Sequence, residues 1–273
     1  MGGVIPFTLL LCTYEKDNPV HLAQSIDSII KQTVLPSEWL IVKDGPLTES
    51  LEAVIRSISF PNEIRILTLP ENVTLGPARM EGTKAASNDW IALMDSDDVC
   101  LPDRFEKQLA LINSNPELCI VGGQIIEYDD IPGTELAVRK VPTTHADILT
   151  RTKKRNPFSA MTVMFKRDLA LAAGGFRYHP GFEDYDLWTR MIVKGAKCAN
   201  HPDVLAYVRA GMSLYARRKG IGYIRSEWKM QMNLKNLGIN SPFTFLLNLM
   251  LRVPIRLLPT KTFGWIYKRF ARV

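Results

Sequence analysis

At 273 residues, with 46% hydrophobic and 23% charged side chains, the chain has the make-up of a globular protein and room for one large domain or a domain with an appendage, which excludes a disordered or fibrous polymer. Cys12, Cys100, Cys119 and Cys198 are scattered, with no Cys-x-x-Cys pair and no histidine at ligand spacing, so a disulfide framework and structural zinc are excluded and a reducing compartment fits. The net charge of +6 is uneven: from Arg209 onwards there are 13 Lys and Arg against a single acid, Glu227, so a slightly acidic body precedes a basic tail whose partner should be anionic, a nucleic acid or a membrane surface.

The opening Met-Gly-Gly-Val-Ile-Pro has neither a basic n-region nor a cleavage site, and no signal peptide is expected. Pro6 stands where a myristoylation signal needs Ser or Thr. Phe7 to Cys12 reads as a buried strand, followed by the polar loop Thr13 to Pro19 and a helix from Val20 to Lys31 with Leu22, Ile26, Ile29 and Ile30 at helical spacing. Trp39 to Val42 is a second buried strand that stops at Asp44-Gly45-Pro46. A helix over Leu51 to Ile58, a strand over Ile64 to Leu69 and a helix with Arg79 in its first turns come next. A fourth strand begins at Trp90 and ends in three carboxylates, Asp95, Asp97 and Asp98.

Four strand–helix units in succession predict a parallel sheet covered on both faces by right-handed crossovers. In such sheets ligands lie beyond the C-terminal ends of the strands. Those ends offer a ring (Tyr14), an acceptor (Asp44), a cation (Arg79) and hard oxygens (Asp95, Asp97). An aromatic and an acid suit a nucleobase, and a cation with a divalent metal suits a diphosphate. The bland alternative is an acidic turn capping the next helix. No Gly-x-Gly-x-x-Gly or Walker-type loop is present, so phosphates would be neutralised by metal and side chains rather than cradled by backbone.

Beyond Pro102 the pattern predicts a helix over Arg104 to Asn113, a strand over Leu118 to Gln124, a less regular stretch from 127 to 158 with a basic run Arg151 to Arg155, a strand over Thr162 to Phe165, and a short helix from Arg167 to Ala173 ended by Gly174-Gly175. Phe182-Glu183-Asp184-Tyr185-Asp186-Leu187-Trp188 then opens an amphipathic helix. Acids bracketed by large apolar groups are desolvated, which raises a carboxylate towards a general base's working range; the alternative is a helix start whose acids favour the dipole. In the tail, Phe243 to Leu251 is too short and too interrupted to span a bilayer. The alternation of Arg252, Arg256, Lys261, Lys268, Arg269 and Arg272 with Leu257, Leu258, Phe263, Trp265, Ile266, Tyr267 and Phe270 reads as amphipathic helices in an anionic interface. Packing of the tail on the body is the alternative, and nucleic acid is disfavoured because no binding motif accompanies the charge.

Taken together, the first strand running into Thr13-Tyr14-Glu15, then Ser28-Ile29-Ile30-Lys31-Gln32-Thr33, Val42-Lys43-Asp44-Gly45, Gly76-Pro77-Ala78-Arg79, Met94-Asp95-Ser96-Asp97-Asp98 and the Glu183-Asp184 segment resemble the family 2 glycosyltransferases over nearly the whole chain. Arg155-Asn156-Pro157-Phe158, Tyr215-Ala216-Arg217-Arg218-Lys219-Gly220 and Arg252 to Pro259 are similar to the amylovoran-type group that builds bacterial exopolysaccharides and O-antigens.

The resemblance implies a glycosyltransferase A-type (Rossmann-like) α/β fold with a mostly parallel sheet, a catalytic domain over 1–208 and a basic helical extension over 209–273. It also implies a nucleotide-sugar donor, with uridine favoured, Mn2+ or Mg2+, inversion at the anomeric carbon, and a glycan acceptor, lipid-linked, at the inner face of the cell membrane. Carried over by position, Thr13, Tyr14 and Glu15 border base and ribose, Asp44 with Gly45 holds the base, and Arg79 sits near the nucleotide. Asp95 with Ser96 serves the ribose or metal, Asp97 the metal, and Asp184, preceded by Glu183, is the base. Arg217 and Arg218 close over the diphosphate. Asp98, from its place in the cluster, is expected to cap the following helix rather than touch metal. The chain departs from the group at Ser159-Ala160-Met161-Thr162, where Asn-His-Pro-Thr is usual, which bears on acceptor contacts. The rival readings are a sugar nucleotidyltransferase and a non-catalytic membrane adaptor that binds nucleotide sugars.

Overall fold

The computed structural model describes residues 5–128, 135–210, 218 and 220–257. In chain order the elements are β1 (Phe7–Thr13), α1 (Pro19–Ile30), β2 (Glu38–Lys43), α2 (Glu49–Arg56), β3 (Glu63–Thr68), α3 (Leu75–Ala85), β4 (Trp90–Asp95), β5 (Val99–Cys100), α4 (Arg104–Ser114), β6 (Leu118–Tyr128), β7 (Glu135–Arg139), α5 (His145–Thr152), a 3-10 turn (Ala160–Thr162), β8 (Met164–Lys166), α6 (Arg167–Ala172), α7 (Glu183–Val193), β9 (Lys197–Arg209), α8 (Gly220–Asn236) and α9 (Pro242–Arg256).

The strands form one sheet in the order β3-β2-β1-β4-β8-β6-β9-β5, with β7 also on β6. The expectation of a mostly parallel sheet holds only for its first half. β3, β2, β1 and β4 are parallel to one another, as the successive crossovers require. Beyond β4 the sheet is mixed: β8 is antiparallel to both β4 and β6, β7 to β6 and β5 to β9, while β6 and β9 are parallel. β5 follows β4 directly in the chain yet pairs at the far end of the sheet, where Val99 lies opposite Tyr207. The sheet therefore curls, and the 95–98 loop is held between β1 on one side and the end of β9 on the other.

Side-chain alternation divides the core into two layers. Leu9, Leu11, Trp39, Ile41, Ala92 and Met94 face α1, α2 and α4, meeting Leu22, Ile26, Leu51, Ile55, Phe105 and Leu109. Leu10, Leu40, Val42, Ile91 and Leu93 face α3, α6 and α7, meeting Ala78, Ala170, Leu187, Trp188 and Met191. The Trp188 ring lies 5.4–6.1 Å from those of Phe158, Phe165 and Phe176, so α7 is fixed by an aromatic cluster directly behind its acidic first turn. α8 joins the body through Met230 and Leu234, which are buried against Phe182 and Tyr185.

Boundaries from the sequence hold to within two or three residues for β1 to α4. The reading missed β5, β7, α5 and β9 and cut β6 short at Gln124, and the predicted 162–165 strand is a 3-10 turn followed by β8. The tail expected to lie in an interface is helical through Arg256, but Arg252 and Arg256 turn inward to the fully buried Glu227, at 2.7 and 3.6 Å. Lys261, Lys268, Arg269 and Arg272 lie outside the described residues. Among the described residues no helix is long and apolar enough to cross a membrane.

Candidate active site

The C-terminal ends of β1, β2 and β4 place Thr13, Asp44 and Asp95 at one edge of the sheet, with Cys12 paired in register to both Val42 and Asp95. Thr13 is buried and donates to Asp17 Oδ2 (2.9 Å), which also accepts from Ser96 Oγ (2.7 Å) and from Tyr14 N–H (3.3 Å). Asp17, which the sequence reading passed over as a turn residue, thus joins the loop after β1 to the loop after β4. Burial raises its pKa, against the three hydrogen bonds that favour the anion. Tyr14 and Glu15 lie at the rim, exposed.

Asp44 is buried and its Oδ1 accepts from Val73 N–H (2.7 Å); burial raises its pKa. Gly45 next to it has φ +88°, and a Cβ there would lie 2.8 Å from Asn72 N, so only glycine lets the two segments meet. On the facing segment Thr74 holds φ 73° and ψ 161°, a conformation that costs a β-branched residue about 1–3 kcal/mol and gathers at ligand-binding loops. The strain lies where Asp44 meets the start of α3.

Arg79 is the centre of the arrangement. Only 3% exposed, it donates to Asp95 Oδ1 (2.5 Å) and lies 3.5 Å from Glu183 Oε1 at the start of α7. Burial opposes its charge, and the carboxylates of Asp95 and Glu183 outweigh that, holding its pKa above the usual arginine value. Gly76 permits the approach: a Cβ there would lie 2.3 Å from Arg177 O and 3.3 Å from Glu183 Cβ. The two acidic clusters, 88 residues apart in the chain, are therefore tied through one guanidinium. The sequence expectation puts Arg79 near the nucleotide; its ion-pair partners among the described residues are these two acids.

Glu183 itself is pushed up to about 7, first by burial and then by neighbouring Asp184. Asp184 Oδ2 accepts from Asn156 Nδ2 (2.6 Å), and its Oδ1 accepts from Tyr185 N–H (2.7 Å). Asn156, which belongs to the Arg155-Asn156-Pro157-Phe158 segment, therefore contacts the candidate base directly. Asp186 is committed elsewhere, to Arg190 (2.7 Å) and Asn233 (3.0 Å).

The loop after β4 needs a second correction. Asp98 does not cap α4, whose N-cap is Asp103. Asp98 is buried, and its Oδ1 accepts from the backbone N–H of Arg209 (3.0 Å). Burial, then Asp97 and Asp95, raise its pKa well above the ordinary range. Arg209 Nε also donates to the Asp97 carbonyl (3.3 Å) and Nη2 to Gln24 (2.9 Å), so the end of β9 clamps this loop. No sequence signal pointed to that role, because it depends on the curl of the sheet. Asp95 and Asp97 stand at this edge with oxygen ligands of the kind hard divalent cations take. Among the described residues, no group of three or more His, Cys, Asp or Glu is placed to hold a metal by itself. Arg217 lies outside the described residues; Arg218 is described, and its carbonyl accepts from Arg256 (3.0 Å). At the departure from the group's pattern, Ser159 is buried and Met161 packs on Ile125, Ala206 and Val208, leaving Ala160 half-buried.

Comparisons with known proteins bear on the family and the fold. Residues 8–171 match the family described as glycosyl transferase family 2. The chain is 36% identical to the amylovoran biosynthesis glycosyltransferase AmsE of Erwinia amylovora, over 96% of this chain and 98% of that protein. It is 34% identical to the UDP-Gal:alpha-D-GlcNAc-diphosphoundecaprenol beta-1,3-galactosyltransferase of Escherichia coli, over 97% and 96%. Among solved structures it resembles the mannosyltransferase PcManGT from Pyrobaculum calidifontis in complex with GDP-Man and Mn2+, with TM-score 0.64 and 16% identity over 97% of this chain and 74% of that one. It also resembles S. aureus TarS 1-349 in complex with UDP-GlcNAc, with TM-score 0.60 and 14% identity over 92% and 72%. These structural likenesses show the fold, which is of the glycosyltransferase A type. The strand-edge acids, the acidic start of α7 and the full-length relatives converge: this chain belongs to glycosyl transferase family 2, in its amylovoran-type group.

Proposed function

We propose that the protein is an inverting, metal-dependent glycosyltransferase that moves a sugar from a UDP-sugar to a hydroxyl of a lipid-linked glycan, in the biosynthesis of a bacterial surface polysaccharide at the inner face of the cell membrane. The observation that carries this reading is the joining of Asp95 and Glu183-Asp184 through Arg79, which sets a diphosphate side and a base side against each other. The E. coli relative's name specifies a UDP-Gal donor and a diphosphoundecaprenol-linked acceptor, and that of AmsE the biosynthesis of amylovoran.

In this reading the nucleoside lies across Thr13, Tyr14, Glu15, Asp44 and Gly45, with Ser96 beneath the ribose. Asp95 and Asp97 would hold Mn2+ or Mg2+, completed by donor phosphate oxygens. When bound, the cation neutralises charge developing on the departing diphosphate. Asp184 accepts the proton of the acceptor hydroxyl as its oxygen bonds to the anomeric carbon and the carbon–diphosphate bond breaks, a contribution of roughly 10²–10⁴-fold. Asn156 fixes the orientation of that carboxylate by its bond to Oδ2. Arg79 keeps both halves in register, and Arg217 and Arg218 approach the diphosphate from the extension. The body of residues 1–208 carries the chemistry and residues 209–273 bring it to the membrane.

The test is transfer from α-linked UDP-hexoses to a sugar–diphosphate–lipid acceptor, with the product's anomeric configuration read by NMR. The expected product is β-linked and needs added Mn2+ or Mg2+. An α-linked product, or undiminished turnover with EDTA, would overturn the reading.

A further inference from the structure

Between Arg139 and Arg155 the otherwise acidic body carries six basic residues, Arg139, Lys140, Arg151, Lys153, Lys154 and Arg155, against the one acid Asp147. Asp147 is in the first turn of α5 and accepts from Thr144 Oγ1 (2.6 Å), away from the basic end. Arg151 is half-buried, and its Nε is sealed from solvent with no hydrogen-bond partner among the described residues. Burial, and after it the charges of Arg155 and Arg139, push its pKa down to about 10. A half-buried guanidinium beside two other cations is costly unless an anion completes it.

The ordinary account is that Arg151 complements the dipole at the C-terminus of α5. That end is already satisfied by neutral donors. Tyr185 Oη donates to the Thr152 carbonyl, and Asn240 and Asn248 each donate to the Lys153 carbonyl (3.0 Å). The Arg151 carbonyl accepts from the N–H groups of Lys154 and Arg155 (2.8 and 2.9 Å). Among the described residues, the helix end therefore does not engage the Arg151 guanidinium.

Position gives it one. Arg155 directly precedes Asn156, which touches the candidate base Asp184. On the other side, the Lys153 carbonyl is bound by Asn248 of α9, whose outer face is apolar and exposed. We propose that Arg151 and Arg155, with Arg139 beside them, form a phosphate-binding subsite for the diphosphate that links the acceptor sugar to its lipid. This rests on the lipid-linked reading of the acceptor. The sugar hydroxyl then meets Asp184, the diphosphate meets the arginines, and the lipid leaves along α9. The Arg-Asn pair thus serves the acceptor from two adjacent positions, anchoring its charge and orienting its base.

The experiment compares kcat/KM on two acceptors carrying the same sugar, one a sugar–diphosphate–alkyl and the other a phosphate-free alkyl glycoside, for the wild type, Arg151→Gln, Arg155→Gln and Arg151→Lys. Charge-assisted hydrogen bonds to phosphate predict a wild-type preference for the diphosphate acceptor. Each Gln variant should cut that preference roughly ten- to hundredfold, and the Lys variant should largely restore it. A merely structural defect lowers activity on both acceptors alike and leaves the ratio unchanged, which would overturn the assignment. A wild type without any preference would overturn the lipid-diphosphate reading itself, so the two failures are distinguishable.

Discussion

Arg79 shows how a single residue can set the state of its neighbours. Its guanidinium is shared by Asp95 and Glu183, and Glu183 is still pushed up to about 7 because burial and the adjacent Asp184 outweigh that cation. The sequence predicts a desolvated carboxylate in this segment, in a general base's range, and in the fold burial raises Glu183, which adjoins the proposed base. A consequence for stability follows. The folded protein keeps a proton on Glu183 between about pH 4.5 and 7, where the unfolded chain has lost it. Stability from this group is therefore fully present below the lower value and declines as pH rises through the upper one. Glu183→Gln removes that dependence. The Tm of wild type minus that of the variant should fall between pH 5 and pH 8, by about 2–4 °C for each kcal/mol lost. A difference that does not change with pH would show that Glu183 ionises normally.

At the scale of elements, α9 has the two-sided character of a helix at a boundary. Asn248 is buried and bonds Gln231 (2.9 Å), and Arg252 bonds Glu227. The opposite side exposes Phe243 (75%), Leu246 and Met250 (74%), and Leu257 just past the helix is exposed as well. Stable chains leave so contiguous an apolar stripe uncovered mainly where something else binds. With the basic segment that follows, an anionic bilayer is the partner we propose. Each such side chain that leaves water contributes about 1.5–3 kcal/mol, so Phe243→Asp combined with Met250→Asp should reduce co-sedimentation with phosphatidylglycerol vesicles at least tenfold. Undiminished sedimentation would remove α9 from the membrane contact. The sequence reading puts this contact from Arg252 onwards; among the described residues the exposed apolar face begins at Phe243, and Arg252 and Arg256 pair with Glu227.

For the whole molecule, the half of the sheet that builds the strand-edge acids was legible. β1, β2 and β4 are short apolar runs, and each stops at the polar residues that line the edge, so period and punctuation agree. The other half was not. β9 contains Pro202 and Asp203 and shifts register against β6 near them, so no alternation survives to be read. α5 buries only Ile148 and Thr152, too few for a helical stripe. Asp17, Asn156 and Arg209 are polar residues whose roles arise from residues 28 to 112 positions away, and local pattern does not carry such distances. The acids of the candidate site were readable one by one; what joins them, Arg79 through Gly76 and Arg209 through the curl of the sheet, required the fold.

The central claim is a division of labour between the two clusters, and one paired measurement addresses it most directly: binding of UDP in Mn2+ by calorimetry, beside turnover, in Asp184→Asn and Asp97→Ala. The account predicts that Asp184→Asn lowers kcat by roughly 10²–10⁴-fold with metal-dependent UDP affinity unchanged, and that Asp97→Ala weakens UDP binding in Mn2+ about tenfold or more. Near-normal turnover in Asp184→Asn, or unchanged UDP affinity in Asp97→Ala, would contradict it.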